Sequence, residues 1–228
     1  SANDRLCFLW TRGSKTAITA EQAVSQGTIE YRQSLSLICT LFRDTALADG
    51  TDIAAINGDD VVKKTLANGL QIVVVPDHLA PVATTMLTYK VGSREADADF
   101  PGTAHALEHM MFRGTEDLSA AQIAAIGAAL GGQVNAFTTN DATSYYFTMP
   151  SQFVDVALRL HAERMQGVLN TKADWQQERG AIEQEVSAAM SSPIQVAIKR
   201  MRAQLYAGTP YSHDALGTRE SFDATTAK

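Results

Sequence analysis

Two histidines and a carboxylate share five residues of the stretch HALEHMMFRGT, positions 105–115. They are His105, Glu108 and His109, and the chain has only five histidines to place. On an α-helix, residues three and four apart share a face, so all three side chains would project together. Imidazoles at i and i+4 can grip one ion, and zinc suits a donor set of nitrogen and carboxylate. Glu108, between the histidines, would stand beside a water on that ion as its base. The order is H-x-x-E-H, the reverse of H-E-x-x-H. The bland alternative is a histidine pair capped by a neighbouring carboxylate.

A catalytic zinc site keeps three protein ligands and one open position, so a third donor is expected. The helical stretch ADWQQERGAIEQEVSAAM, positions 173–190, offers Glu178, Glu183 and Glu185. At about 100° per residue, Glu178 and Glu185 nearly align, whereas Glu183 points almost oppositely to Glu185. Ile182 and Val186 flank Glu185, so this face is expected to turn inward. A carboxylate on a buried face requires a charge partner, which a dication would supply. Glu183 reads as a solvated charge. Of the other histidines, His161 reads as a core or surface residue of an amphipathic helix, and His78 and His213 as exposed loop residues.

These residues need elements to position them. LANGLQIVVVPD has a turn at Asn68-Gly69 and then a β-branched run ended by Pro76 and Asp77, so a strand. PVATTMLTYKVGS is a second strand, ended by Gly92. Pro101-Gly102 precedes the helix of the histidine motif. SAAQIAAIGAALGG is a helix with Ser119 as N-cap and Gly131-Gly132 as its stop. QVNAFTTNDATSYYFTMP reads as a hairpin turning at Asn140-Asp141, with Tyr145 and Tyr146 packing alternately. Helices follow over about 151–169, 173–190 and 194–206. Strands, helices, a hairpin and more helices predict an α+β fold, a mostly antiparallel sheet with helices on one face.

Four motifs in this order, TLANGLQIVVVPD, HALEHMMFRGT, GGQVNAFTTNDATSYYF and ERGAIEQEV, resemble the pitrilysin-type inverzincins. That family includes insulin-degrading enzyme and the mitochondrial processing peptidase, and YSHDALGTRESF also looks like one of its segments. The likeness runs from about Val61 to the C-terminus. It implies one zinc per chain held by His105, His109 and Glu185, with Glu108 as general base. Glu178 matches a supporting carboxylate of the family's catalytic machinery. Asn135 and Ala136 fall on the edge strand to which such enzymes add a substrate strand, a mode that holds a peptide by its backbone. The implied activity is that of a zinc metalloendopeptidase acting on peptides or unfolded polypeptide. The implied partner is a second, similar domain, fused or separate, and the chain is expected to be truncated before it. Two rivals are a non-catalytic family subunit that holds substrate or acts in assembly, and a metal-dependent hydrolase of small molecules. Intact His105, Glu108, His109 and Glu185 weigh against the first, and the edge strand against the second.

Composition narrows the setting. With 228 residues, 45% apolar, the chain can bury a sizeable core. A net charge of −6 argues against a nucleic-acid partner. No apolar run reaches the 18 or so residues of a membrane span. Cys7 and Cys39 fit neither a zinc spacing nor a disulfide framework. Residues 1–60 read as a leader or a poorly ordered extension, and 61–228 as the metallopeptidase domain. Within the leader, Arg32, the apolar Leu35 to Phe42 run and Ala46-Leu47-Ala48 resemble a secretory signal, predicting a periplasmic or otherwise exported protein. Arg43 and Asp44 interrupt that pattern, and a cytoplasmic protein with an irregular leader is the alternative.

Overall fold

The computed structural model describes residues 6–12, 61–77 and 79–226. The signal-like pattern from Arg32 to Ala48, Cys39 and His78 lie outside the described residues. Six strands, β1 (Leu6–Arg12), β2 (Val62–Thr65), β3 (Gln71–Pro76), β4 (Val82–Tyr89), β5 (Gln133–Thr138) and β6 (Thr143–Pro150), form one sheet in the order β2-β3-β1-β4-β6-β5. The helices are α1 (Thr103–Met110), α2 (Ala120–Ala129), α3 (Val154–Gly167), α4 (Lys172–Met190), α5 (Pro193–Leu205) and α6 (Arg219–Ala224). The fold is α+β.

Two strands go beyond the sequence reading. β2 pairs antiparallel with β3 across the Asn68-Gly69 turn, with Val62 opposite Val74 and Thr65 opposite Gln71. β1 lies in the stretch read as leader and pairs parallel with β3, from Cys7 opposite Gln71 to Arg12 opposite Pro76. The sheet is therefore mixed.

The described residues fall into two compact units. One comprises the described residues of 1–88, 122–135 and 145–166, and the other those of 89–121, 136–144 and 167–228. In the first, period-two alternation buries Ile72 and Val74 on β3, Ala83, Thr85 and Leu87 on β4, and Tyr145, Phe147 and Met149 on β6. His161 on α3 joins this core. Its Nε2 lies 3.2 Å from Thr85 Oγ1 and its ring packs edge-on against Phe147 at 4.8 Å. Burial, then the charge of Arg164, holds its pKa well below the usual 6.5. The guanidinium of Arg164 sits over the rings of Phe147 and Tyr145, at 5.0 and 5.3 Å.

The second unit is built on α1 and α4. Ala106 and Met110, four apart on α1, pack with Trp175, Ile182 and Val186 of α4 and Phe222 of α6. Thr171 caps α4, accepting a hydrogen bond from the Asp174 backbone N–H at 3.1 Å, and Pro193 opens the next helix after Ser191-Ser192. Among the described residues, no helix is long and apolar enough to cross a membrane.

Candidate metal centre

The backbone delivers the histidines through a start signal that only glycine can provide. Gly102 caps α1 at a φ of 94°, and a Cβ there would lie 2.6 Å from Phe222 and 2.7 Å from Gly217. With Ala106 and Met110 fixed in the core, His105, Glu108 and His109 take the neighbouring strip of the helix. His105 and Glu108 are buried and His109 is half-buried.

The two histidines point their Nε2 atoms at each other, 3.2 Å apart, with the rings edge to face. Glu185 closes the third side, its Oε2 3.3 Å from His105 Nε2 and its Oε1 3.6 Å from His109 Nε2. One donor atom from each residue lies within 4.8 Å of the others. With metal–ligand bonds of about 2.0–2.2 Å, tetrahedral zinc sets its donors about 3.3–3.5 Å apart. The histidine–histidine spacing, and the distance from each histidine to its nearer Glu185 oxygen, lie close to that value, so the donor set fits zinc. Neutral imidazoles are what such a site requires. Burial, then the adjacent His109, push the pKa of His105 below the ordinary value, which favours its neutral form.

The other edge of the pair is fixed by Glu178. His109 Nδ1 meets Glu178 Oε2 at 2.8 Å, so Nδ1 carries the proton and Nε2 presents its lone pair. Glu178 is buried, and its other oxygen pairs with the Arg113 guanidinium. On the opposite side, Thr138 at the end of β5 donates to Glu108 Oε2 at 2.5 Å.

Residues 71–219 match the model of the family described as insulinase, peptidase family M16. The chain belongs to the insulinase family. A relative named zinc protease PqqE, from Helicobacter pylori, is 35% identical over 167 residues, which make up 72% of this chain and 37% of that protein. A probable mitochondrial-processing peptidase subunit beta of Arabidopsis thaliana is 28% identical over 162 residues, 71% of this chain and 30% of that one. The crystal structure of a protease from Helicobacter pylori superposes with a TM-score of 0.69 at 32% identity, covering 73% of this chain and 40% of that one. This insulinase-family chain thus spans well under half the length of the relatives it matches.

Set against the sequence reading, the structure brings His105, Glu108, His109, Glu178 and Glu185 into one cluster. Glu183 points elsewhere, its carboxylate 3.3 Å from Arg179 and 3.8 Å from Arg219, so it is ion-paired rather than merely solvated. Glu185 also departs from the expected inward face, its side chain being 50% exposed. The buried stripe of α4 is Trp175, Glu178, Ile182 and Val186, and Glu185 sits about 60° round the helix from Ile182, on the rim. His213 is half-buried, where the sequence suggested exposure. Asn135 and Ala136 lie on β5, which among the described residues stands at one end of the sheet order. Two residues of the cluster went unread, Arg113 and Thr138. The signal for Arg113 was its place four residues after His109, and Thr138 stood in plain view after Asn135 and Ala136.

Proposed function

We propose that this chain is the metal-bearing part of a zinc metalloendopeptidase that cleaves peptides or unfolded polypeptide. The observation that carries the proposal is the convergence of His105 Nε2, His109 Nε2 and the Glu185 carboxylate at tetrahedral ligand spacing, with Glu108 alongside. His105, His109 and Glu185 would hold one zinc, and Glu178 fixes the tautomer of His109. Zinc held there would supply Lewis-acid chemistry, lowering the pKa of a water and polarising the scissile carbonyl. Glu108 accepts the proton of the attacking water and returns it to the leaving amine as the peptide bond breaks. β5, with Asn135 and Ala136, holds the peptide extended by strand addition. A half-exposed Glu185 leaves the ligand set open on the side where water and substrate must enter.

The test is Glu108→Gln in the full-length protein, this chain with any continuation its gene encodes. Zinc content should stay at one per chain while hydrolysis of a quenched fluorescent peptide drops 10² to 10⁴-fold or more. Activity within about tenfold of wild type overturns the role of Glu108. The non-catalytic rival predicts equal, negligible turnover in both proteins.

The relatives' length supports a second, similar domain that completes the peptide chamber. Export is proposed on the pattern Arg32, Leu35 to Phe42 and Ala46-Leu47-Ala48. N-terminal sequencing of protein from its native cell tests it, since an intact Ser1 to Ala48 in the mature protein excludes it.

A further inference from the structure

We infer that Thr138 is a positioning residue for the general base, fixing one oxygen of Glu108 from the strand that receives the peptide. The inference rests on the proposed reading of Glu108 as base. It starts from the allocation of protons among three side chains. Buried Thr143 donates its only hydroxyl proton to the Val91 carbonyl at 2.9 Å. Towards Thr138, whose Oγ1 lies 3.4 Å away, Thr143 can therefore only accept, and that contact is far longer than the 2.5 Å one between Thr138 and Glu108. An ionised carboxylate is an acceptor only, so the 2.5 Å contact between Thr138 and Glu108 Oε2 has the threonine as donor. Thr138 thus gives its single proton to the carboxylate, in the class of charge-assisted hydrogen bonds.

A glutamate has three side-chain torsions, and proton transfer requires its acceptor oxygen within hydrogen-bond reach of the water. Holding Oε2 removes that freedom and leaves Oε1 as the oxygen that works. The tether is itself rigid. Thr138 precedes a turn closed by Thr139 N–H to Ala142 C=O at 2.8 Å. The backbone N–H groups of Ser93 and Arg94 donate to the carbonyls of Thr139 and Asn140, each at 3.0 Å. Gly92 lies so close that a Cβ there would come within 2.5 Å of the Thr139 oxygen. Thr138 also shares a face of β5 with Ala136, two residues back. A peptide paired with β5 is therefore registered against the base through a single short stretch of backbone.

The experiment compares Thr138→Val, which keeps the shape and loses the hydroxyl, with Thr138→Ser, which keeps it, in the full-length protein. Zinc content and KM for a quenched fluorescent peptide should stay within about twofold of wild type. In Thr138→Val, kcat should fall about 10- to 100-fold, the range for losing a hydrogen bond to a charged group. Thr138→Ser should restore at least tenfold of that loss. If the valine protein fails to fold, Thr138→Ala replaces it in the same comparison. A kcat within twofold of wild type in the variant lacking the hydroxyl overturns the inference. So does a serine variant as slow as valine, or a loss confined to KM. Glu108→Gln assayed alongside separates the two levels: if it stays active, the reading of Glu108 itself has failed. If it is inactive while Thr138→Val is not, only the tether has failed.

Discussion

Replacing Glu178 by glutamine should weaken zinc binding without touching a proposed ligand. Glu178 accepts from His109 Nδ1 at 2.8 Å through one oxygen and faces Arg113 with the other. Glutamine has one acceptor oxygen, so it can serve His109 or Arg113 but presents an N–H to the partner it does not serve. If it turns its oxygen to His109, the bond survives in its weaker, neutral form. If it turns the oxygen to Arg113, His109 loses its partner and the tautomer that aims Nε2 at the ion is no longer fixed. Changes to such partners typically cost 10- to 100-fold in metal affinity, about 1.4–2.8 kcal/mol. The same substitution strips Arg113 of its counter-charge. Its side chain is only 20% exposed, so stability should also fall, by less than the 3–5 kcal/mol typical of a fully buried broken pair. The assay is competition with a chelator of known zinc affinity, plus urea unfolding of the metal-free protein. Glu183→Gln is the control, since Glu183 engages Arg179 and Arg219 instead. Affinity within threefold of wild type for Glu178→Gln, or an equal loss in Glu183→Gln, would refute the reasoning.

His161→Gln should flatten the acid limb of the stability curve. The folded-state pKa of His161 is depressed below 6.5, so the unfolded chain takes up its proton first. Stability is fully present above about pH 6.5 and falls below it by up to about 1.4 kcal/mol per pH unit, which urea midpoints between about pH 7.5 and 5.5 would report. Gly92→Ala should destabilise by about 1–3 kcal/mol, because its Cβ would meet the Thr139 and Asn140 carbonyls at 2.5–2.6 Å; an unchanged thermal midpoint would contradict this. Adding the proposed second domain to this chain, fused or in trans, should raise peptide turnover at least tenfold at equal zinc loading, because near-attack geometry needs a closed chamber. Equal turnover would show that β5 and the metal centre suffice.

Much of the cluster was legible because it is written in helical arithmetic. His105 and His109 are one turn apart, and Glu178 and Glu185 are nearly two, spacings that hold whatever the tertiary structure does. The same arithmetic separated Glu183 from its neighbours. It could not say that Glu185 ends on the rim, since that depends on where the core stripe of Trp175, Ile182 and Val186 lies. Contacts between distant segments were out of reach. Thr138 and Glu108 are 30 residues apart, and nothing in either segment alone announces a hydrogen bond between them. Short strands failed for a related reason. VKKT carries two lysines and becomes β2 only because β3 offers it a partner across a tight turn.

The interleaving of the two units bears on the order in which the molecule can come to exist. Each unit takes three stretches of chain in alternation, so the backbone passes from one to the other five times. The cluster around the histidines draws on 89–121, 136–144 and 167–228, with residues of the other unit between each pair. No contiguous piece of the sequence can therefore be excised that carries the cluster alone. During synthesis, the histidine pair emerges some 75 residues before Glu185, and a two-donor grip on a metal is weak. Capture of the proposed zinc would then be a late event, a seal on a chain whose long-range contacts are already made, and such contacts slow folding. Zinc uptake followed in time during refolding would serve as a clock for the last of those contacts.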